Sequence, residues 1–357
     1  MACIAIFQKQ GDFIMSRVLI TGGAGFIGSN LASRLLKEKH EITIFDNMSR
    51  SGCKSNIKYL EDTFGKNSFR LVRADITDFK RLKEATQGAE RIYHLAGQVA
   101  VTTSVQNPRQ DFMDNALGTF NALEAARISG DNPIFLYTST NKVYGGMEDV
   151  GIIKGNNRYE YKDLPAGVSE TQCLDFHSPY GCSKGTGDQY TRDYARIYGL
   201  KTVVLRQSCI YGYRQFGIED QGWLAWFIIA ALKKRPIKIY GDGLQVRDIL
   251  FIDDLMDAYE AAVENIDKCK GQIYNIGGGP QNTISVWTEF GPLLEKLMGS
   301  SIPVQYADWR PGDQQVYISN ISKAEKELAW RPKISVEEGI TRLFKWIAKN
   351  IELFEHL

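Results

Sequence analysis

A run of β-formers at 17–21, Arg-Val-Leu-Ile-Thr, passes without a break into Gly22-Gly23-Ala24-Gly25-Phe26-Ile27-Gly28. An amphipathic stretch follows at 29–39, with Leu31, Leu35 and Leu36 at helical spacing. Gly23, Gly25 and Gly28 satisfy G-x-G-x-x-G; Gly22, Gly25 and Gly28 satisfy G-x-x-G-x-x-G. Glycine there permits a tight turn, close approach of the backbone to a pyrophosphate, and a helix packed near the strand. The helix N-terminus then offers free N–H groups and the positive end of its dipole to the phosphates. A glycine-rich turn can be only a turn, but a strand before it and a helix after it are the setting that a dinucleotide requires.

The alternation continues along the chain. β-rich runs at 17–21, 41–46, 69–75, 91–97, 133–139 and 202–208 are interspersed with helical patterns at 29–39, 78–86, 112–129 and 183–198. Strand–helix–strand repetition implies parallel strands joined by crossover helices. The expected class is α/β, a doubly wound, mostly parallel Rossmann sheet with a smaller interleaved C-terminal substrate domain. The 357 residues leave room for two domains of about 150 residues each. Beyond about residue 208 strands become sparse, and 246–276 reads as a return to the first domain. The expected division is 15–207 with 244–276 for the dinucleotide, 208–243 with 277–357 for the substrate, and an extension at 1–14 dispensable for the fold.

Composition removes other classes. Lys+Arg is 43 against Asp+Glu 42, a net charge of +1, so there is no global attraction to nucleic acid or to an acidic membrane. The longest purely apolar run, 223–232, is short of the about 20 residues needed to span a bilayer. The apolar run at 2–7 lacks a preceding basic residue and a following small-residue cleavage site, against a signal peptide. Cys3, Cys53, Cys173, Cys182, Cys209 and Cys269 form no C-x-x-C pair and no zinc-ligand spacing. No metal site is expected, and the cysteines read as free thiols in a reducing cytoplasmic compartment.

Asp46 ends the second run, 18 residues past Gly28, where an acid would grip a ribose diol. Its carboxylate would repel a 2′-phosphate, which favours NAD over NADP, while Arg50 close behind keeps NADP open. Tyr180 and Lys184 are four apart and so share one face of a helix. A phenol titrates near 10 and is a poor base at neutral pH. A nearby ammonium and a positive nicotinamide ring would favour its phenolate, which could then exchange a proton with a sugar hydroxyl. The alternative is an ordinary exposed helix pair. Thr140 closes the fifth run, at the sheet edge where ligands bind, and is placed to bond the reacting hydroxyl or the Tyr180 oxygen. Trp223 and Trp226 fit a base pocket or, at helical spacing, core or interface; His177 fits a pocket or a structural loop.

Together these residues resemble the extended short-chain dehydrogenase/reductase family of NAD-dependent nucleotide-sugar epimerases and dehydratases. The resemblance runs from residue 17 to about 346. It includes the glycine turn, Asp46, Asp75-Ile76, His94-Leu95-Ala96-Gly97, the Thr140 segment, Tyr180 with Lys184, the 241–248 segment and Arg310-Pro311-Gly312-Asp313. It implies a tightly held NAD on Gly22, Gly23, Gly25, Phe26, Ile27, Gly28, Asp46, Asn47, Ser49, Arg50, Asp75, Ile76, Leu95, Ala96, Gln98, Tyr180 and Lys184. It implies a catalytic set of Thr140, Tyr180 and Lys184. It implies a nucleotide-diphosphate sugar on Gln98, Thr140, Asn141, His177, Gln207, Arg214, Gln221, Arg247, Arg310 and Asp313, the arginines near the diphosphate. The family's R-x-F-N-x-Y-G reads Arg206-Gln207-Ser208-Cys209-Ile210-Tyr211-Gly212 here, with cysteine in place of asparagine.

The segments 96–100, 102–104, 139–144, 174–185 and 220–223 resemble the branch that inverts carbon 2 of a CDP-hexose. A UDP-hexose 4-epimerase is the alternative, since the hydride chemistry is the same. Asn141 and Lys142 stand where the family's dehydratases carry Asp-Glu, and an amide with an ammonium cannot eliminate water as that acid pair does. A non-catalytic NAD sensor would have no need of the intact Thr140, Tyr180 and Lys184. The likeness also implies a homodimer or homotetramer, with subunit contacts through helices near 111–129 and 183–198.

Overall fold

The computed structural model describes residues 15–310 and 313–355. The expected 1–14 extension, with Cys3, and Pro311 and Gly312 of the Arg-Pro-Gly-Asp segment lie outside the described residues. The chain runs β1 (Arg17–Thr21), α1 (Phe26–Lys37), β2 (Glu41–Asp46), α2 (Cys53–Phe64), β3 (Phe69–Arg73), α3 (Phe79–Thr86) and β4 (Arg91–His94). There follow α4 (Val101–Gln106), α5 (Pro108–Asp111), a π-helical turn (Phe112–Leu117), α6 (Gly118–Ser129), β5 (Ile134–Thr140) and a 3-10 turn (Asn141–Tyr144). Next are β6 (Ile152–Lys154), β7 (Tyr159–Tyr161), α7 (Ser178–Tyr198), β8 (Lys201–Gln207), β9 (Cys209–Tyr211), α8 (Trp223–Leu232), β10 (Ile237–Tyr240) and β11 (Val246–Phe251). Then come α9 (Ile252–Glu264), α10 (Ile266–Cys269), β12 (Gln272–Ile276), β13 (Thr283–Ser285), α11 (Phe290–Met298), β14 (Val304–Ala307), β15 (Val316–Tyr317), α12 (Ser322–Leu328) and α13 (Val336–Lys349).

Seven strands form one parallel sheet in the order β12-β8-β5-β4-β1-β2-β3. The order reverses direction between β1 and β4, so a crevice opens beyond Thr21 and His94, paired residues at the ends of those strands. Successive side chains of a strand face opposite ways, and the two faces are both covered. Val18 and Ile20 of β1 and Ile42 and Ile44 of β2 share a core with Leu31 and Leu35 of α1 and Ile57 and Leu60 of α2. Leu19, Phe45, Ile92, Phe135 and Val204 face the other way, into a core with Leu82 of α3, Leu123 of α6 and Tyr194 of α7. This two-sided burial explains why the runs read as nearly continuous apolar strings.

Several boundaries differ from the sequence reading. The first helix begins at Phe26, directly after the last turn glycine, so Phe26, Ile27 and Gly28 form its opening turn. Helix α7 begins at Ser178 with Pro179 at its start, which puts Tyr180 in its first turn. The helix expected over 112–129 is regular only from Gly118; a π-helical turn precedes it. Strands are also commoner beyond 208 than the sequence suggests, because they are only two to six residues long and leave little periodicity. The 244–276 return divides: β11 pairs with β9, β13 and β15 in a small sheet, and only β12 joins the large one, beside β8. The small sheet thereby lies against the carboxyl end of β8, since β9 follows β8 almost directly. Trp223 packs edge-on against Phe227 and Phe290. Among the described residues, no helix is long and apolar enough to cross a membrane, and no cluster of metal-ligating side chains occurs.

Candidate active site

The glycine turn closes the crevice at its base. Gly22 has φ +69, and a Cβ there would come within 2.7 Å of the Ala96 nitrogen. A Cβ on Gly28 would stand 2.4 Å from the Gly22 carbonyl oxygen, so helix α1 can approach the turn only without a side chain at that point. The Gly22 N–H donates to the Phe45 carbonyl at 2.8 Å, tying the turn to β2. No side chain caps α1 at Gly25, which leaves the leading N–H groups of the helix for an anion. This cradle fits a dinucleotide pyrophosphate.

Asp46 sits at the rim. Its Oδ2 accepts from the Ala24 N–H at 3.0 Å and its Oδ1 from the Met48 N–H at 2.7 Å. Burial raises its pKa, and those two backbone donors oppose the rise. Asn47 donates to Asp75 Oδ2 at 2.8 Å, and Ser49 N–H donates to Asn47 Oδ1 at 3.1 Å. Asp75 also accepts from the Thr77 N–H and hydroxyl. The ends of β2 and β3 are thus one hydrogen-bonded rim. Ile76 packs on Gly118, Leu95 N–H donates to the Thr21 carbonyl, and Ala96 N–H donates to Thr21 Oγ1 at 3.3 Å.

Thr140 and Tyr180 meet at the mouth. Thr140 is close enough to act on the Tyr180 phenol, while its oxygen accepts the Lys142 N–H at 3.2 Å and donates to Asn141 Oδ1 at 3.3 Å. Burial pushes the Tyr180 phenol up to about 12; Thr140 lowers it, Asp111 raises it further, and Arg50 lowers it. The expected influence of Lys184 on this phenol is corrected here. Lys184 Nζ donates to the Thr138 carbonyl and lies 4.4 Å from the centre of the Tyr137 ring. Burial pushes Lys184 down to about 7, against the pull of Asp188 and Asp111.

Several expected substrate contacts are engaged elsewhere. Arg214 has φ +63, which turns it toward the first two helices: it donates to Asn30 Oδ1 and stacks 4.3 Å from the Tyr59 ring centre. Its guanidinium is thus engaged by α1 and α2 rather than open toward the glycine turn. Gln207 donates to the Tyr259 hydroxyl at 2.7 Å, on the α9 side of β8. Arg310 stacks 3.9 Å over the Tyr240 ring and pairs with Asp220 at 3.1 Å. Gln98 folds back on its own loop, bonding the Ala100 carbonyl and N–H. His177 pairs with Asp175 at 3.0 Å at the start of α7. Arg50 reaches across the crevice to Gln221. Arg247 and Asp313 do come together, as an ion pair at 2.6 Å.

Two groups, Asp188 and Asp111, escaped the sequence reading, and a third, Lys142, was read there only against dehydration. Asp188 is fully buried; it accepts from Ser139 Oγ at 2.7 Å and from two Arg206 nitrogens at 2.9 Å. Asp111, buried on α5, acts electrostatically on both Tyr180 and Lys184. Lys142 donates to Gln314 Oε1 at 3.3 Å. Asp188 lies one helical turn beyond Lys184 and was legible from that spacing; nothing local marked Asp111, and Lys142 was marked only by the acid it replaces.

The chain is similar along almost its whole length to proteins of known kind. It is 42% identical over 338 residues to the CDP-paratose 2-epimerase of Salmonella typhi, covering 92% of this chain and 98% of that one. It is 34% identical to the putative UDP-glucose 4-epimerase of Methanocaldococcus jannaschii, covering 93% and 99%. A solved structure of UDP-glucuronic acid 4-epimerase from Bacillus cereus, in complex with UDP-glucuronic acid and NAD, superposes with a TM-score of 0.80 at 29% identity, covering 94% and 99%. Residues 18–277 match the NAD dependent epimerase/dehydratase family. With its glycine cradle, its Thr140–Tyr180 pair and that match, the chain belongs to the NAD dependent epimerase/dehydratase family, as an NAD-using nucleotide-sugar epimerase.

Proposed function

We propose that the substrate is a CDP-hexose inverted at carbon 2, as between CDP-paratose and CDP-tyvelose. The observation that carries this reading is the 42% identity, spread over both chains, to the Salmonella typhi enzyme. The residues around the crevice supply the chemistry. The Tyr180 oxygen takes the proton of the reacting hydroxyl, with Thr140 orienting both groups. Bound NAD would supply a hydride acceptor and donor for that carbon, able to serve either face of the sugar, and a positive ring that favours the phenolate. Tyr180 then gives its proton back to the new alkoxide. Lys184, whose ammonium donates to the Thr138 carbonyl, would hold the cofactor's ribose. Because nothing is oxidised overall, the cofactor is retained between turnovers. Asn141 is buried beside Thr140 and Lys142 follows it, so neither residue supplies the carboxyl that dehydration needs. Relatives with UDP-sugar names, such as that of Methanocaldococcus jannaschii, support the second reading, inversion at carbon 4 of a UDP-hexose.

The test uses CDP-paratose carrying deuterium at carbon 2. Slower turnover, with the label kept at carbon 2 of CDP-tyvelose, is the expected result. Inversion of a UDP-hexose at carbon 4, with carbon 2 untouched, would refute the substrate assignment.

A further inference from the structure

Lys142 stands two residues after Thr140, in the 3-10 turn whose first N–H bonds include its own donation to Thr140 Oγ1. Its ammonium points away from that bond, toward the small sheet. There it donates to Gln314 Oε1 at 3.3 Å, and Gln314 is itself buried and fixed by a bond to the Gly145 carbonyl at 2.6 Å. Arg247 lies close by, already paired with Asp313. Cys209 faces the same ammonium, and burial pushes its thiol up, which keeps it neutral. Among the described residues no carboxylate stands within ion-pair distance of Lys142 Nζ. Two cations therefore share one carboxylate in a partly enclosed space. Burial, followed by repulsion from Arg247, pushes Lys142 down to about 8, against the pull of Asp313. Such an arrangement is costly unless an anion completes it.

The chemistry of the sugar says which anion. Carbon 2 of a nucleotide sugar adjoins the anomeric carbon that carries the diphosphate, whereas carbon 4 lies across the ring from it. Presenting carbon 2 to Thr140 and Tyr180 therefore draws the sugar-bearing phosphate close to those side chains. A cation rooted beside Thr140 suits that phosphate; one further off suits a sugar held by its far side. We propose that Lys142 binds the sugar-bearing phosphate of the substrate and so favours carbon 2 as the carbon that reacts. This rests on the carbon-2 reading above. Arg247 then holds the remainder of the diphosphate, and Gln314 parks the ammonium between turnovers.

The test compares wild type, Lys142→Met and Lys142→Arg, each as purified holoenzyme. Their melting temperatures and bound NAD should match. With CDP-paratose, Lys142→Met should lose about ten- to a hundredfold in kcat/KM, the range for removing a hydrogen bond to a charged group. Calorimetry with CDP alone should show a comparable loss of affinity, and Lys142→Arg should recover much of both. If wild type inverts carbon 2 and Lys142→Met keeps wild-type kcat/KM and CDP affinity, the lysine assignment falls and the substrate reading stands. If Lys142→Met loses kcat but binds CDP normally, the phosphate role is likewise overturned. If wild type itself inverts carbon 4 of a UDP-hexose, the carbon-2 reading fails and the selection by Lys142 fails with it.

Discussion

The Tyr180 oxygen lies where its own ionisation is opposed. Burial raises its pKa to about 12, and only Thr140 and Arg50 counter that. The Tyr180→Phe protein keeps the ring and its packing but has no proton to exchange. It should lose about 10²-fold or more in turnover while releasing, on denaturation, as much NAD as wild type. Near wild-type turnover would remove Tyr180 from the reaction. Lys184 makes a separate claim about stability. Its pKa falls from 10.5 in a free side chain to about 7 in the fold. Between those values the unfolded chain binds the extra proton, so raising the pH through that window stabilises the folded cofactor-free protein. The penalty is fully present below about 7. The melting temperature of cofactor-free wild type, measured against Lys184→Met, should therefore climb from pH 7 to pH 9. A flat difference would place Lys184 in a better-solvated site. Spacing alone offers these residues only as a pair on one helix face, the family resemblance gives them their roles, and neither gives their electrostatics. Lys184 and Tyr180 share a helix face, yet the lysine is claimed by a carbonyl on β5 that no helical spacing encodes.

At the scale of elements, the turn between β1 and α1 is the part most fully written in the sequence. Its glycines are needed because backbone meets backbone: Gly28 against Gly22, and Gly22 against Ala96. Gly28→Ala would set its new Cβ 2.4 Å from a carbonyl oxygen. Neither partner is a flexible side-chain end, so the helix or the turn must shift. The expected outcome is a folded protein that purifies with far less NAD than wild type and melts lower; overpacking of this kind costs about 1–3 kcal/mol. Full NAD content by release and quantification would mean that the turn tolerates the methyl group. The strands of the large sheet were readable for the same reason that they are buried on both faces. Beyond β8 only α9 and β12 were readable, because the other strands, of two to six residues, are specified by partners far along the chain. The substrate arginines illustrate this. Arg247 meets Asp313 only because β11 pairs with β15. Arg214 is lost to the first two helices by a single left-handed backbone angle. Lys142 gains Gln314 from 172 residues away.

For the whole molecule, the large sheet, the small sheet and the crevice between them account for the chemistry but leave one face without a role. Phe120, Tyr190, Tyr194 and Tyr198 form a continuous line of edge-to-face rings along α6 and α7, at centroid distances of 5.7, 6.3 and 4.9 Å. Ile197 and Phe112 stand beside that line, 65% and 55% exposed, and Tyr198 and Tyr190 are 53% and 45% exposed. Large apolar side chains gathered on two neighbouring helices form the kind of patch that marks an interaction site. The family resemblance implies subunit contact through these helices, so a second copy of the chain is the expected occupant. The consequence reaches the active site, because α7 carries Tyr180 and Lys184 in its first two turns. Pairing through the far end of that helix would hold its register against β5. Ile197→Glu with Tyr190→Glu should shift the mass measured by light scattering to that of a single chain. Both positions lie away from the crevice, so bound NAD should persist while the melting temperature falls. An unchanged oligomeric mass would move the interface off α6 and α7. A wild type that is itself a single chain in dilute solution would end that expectation.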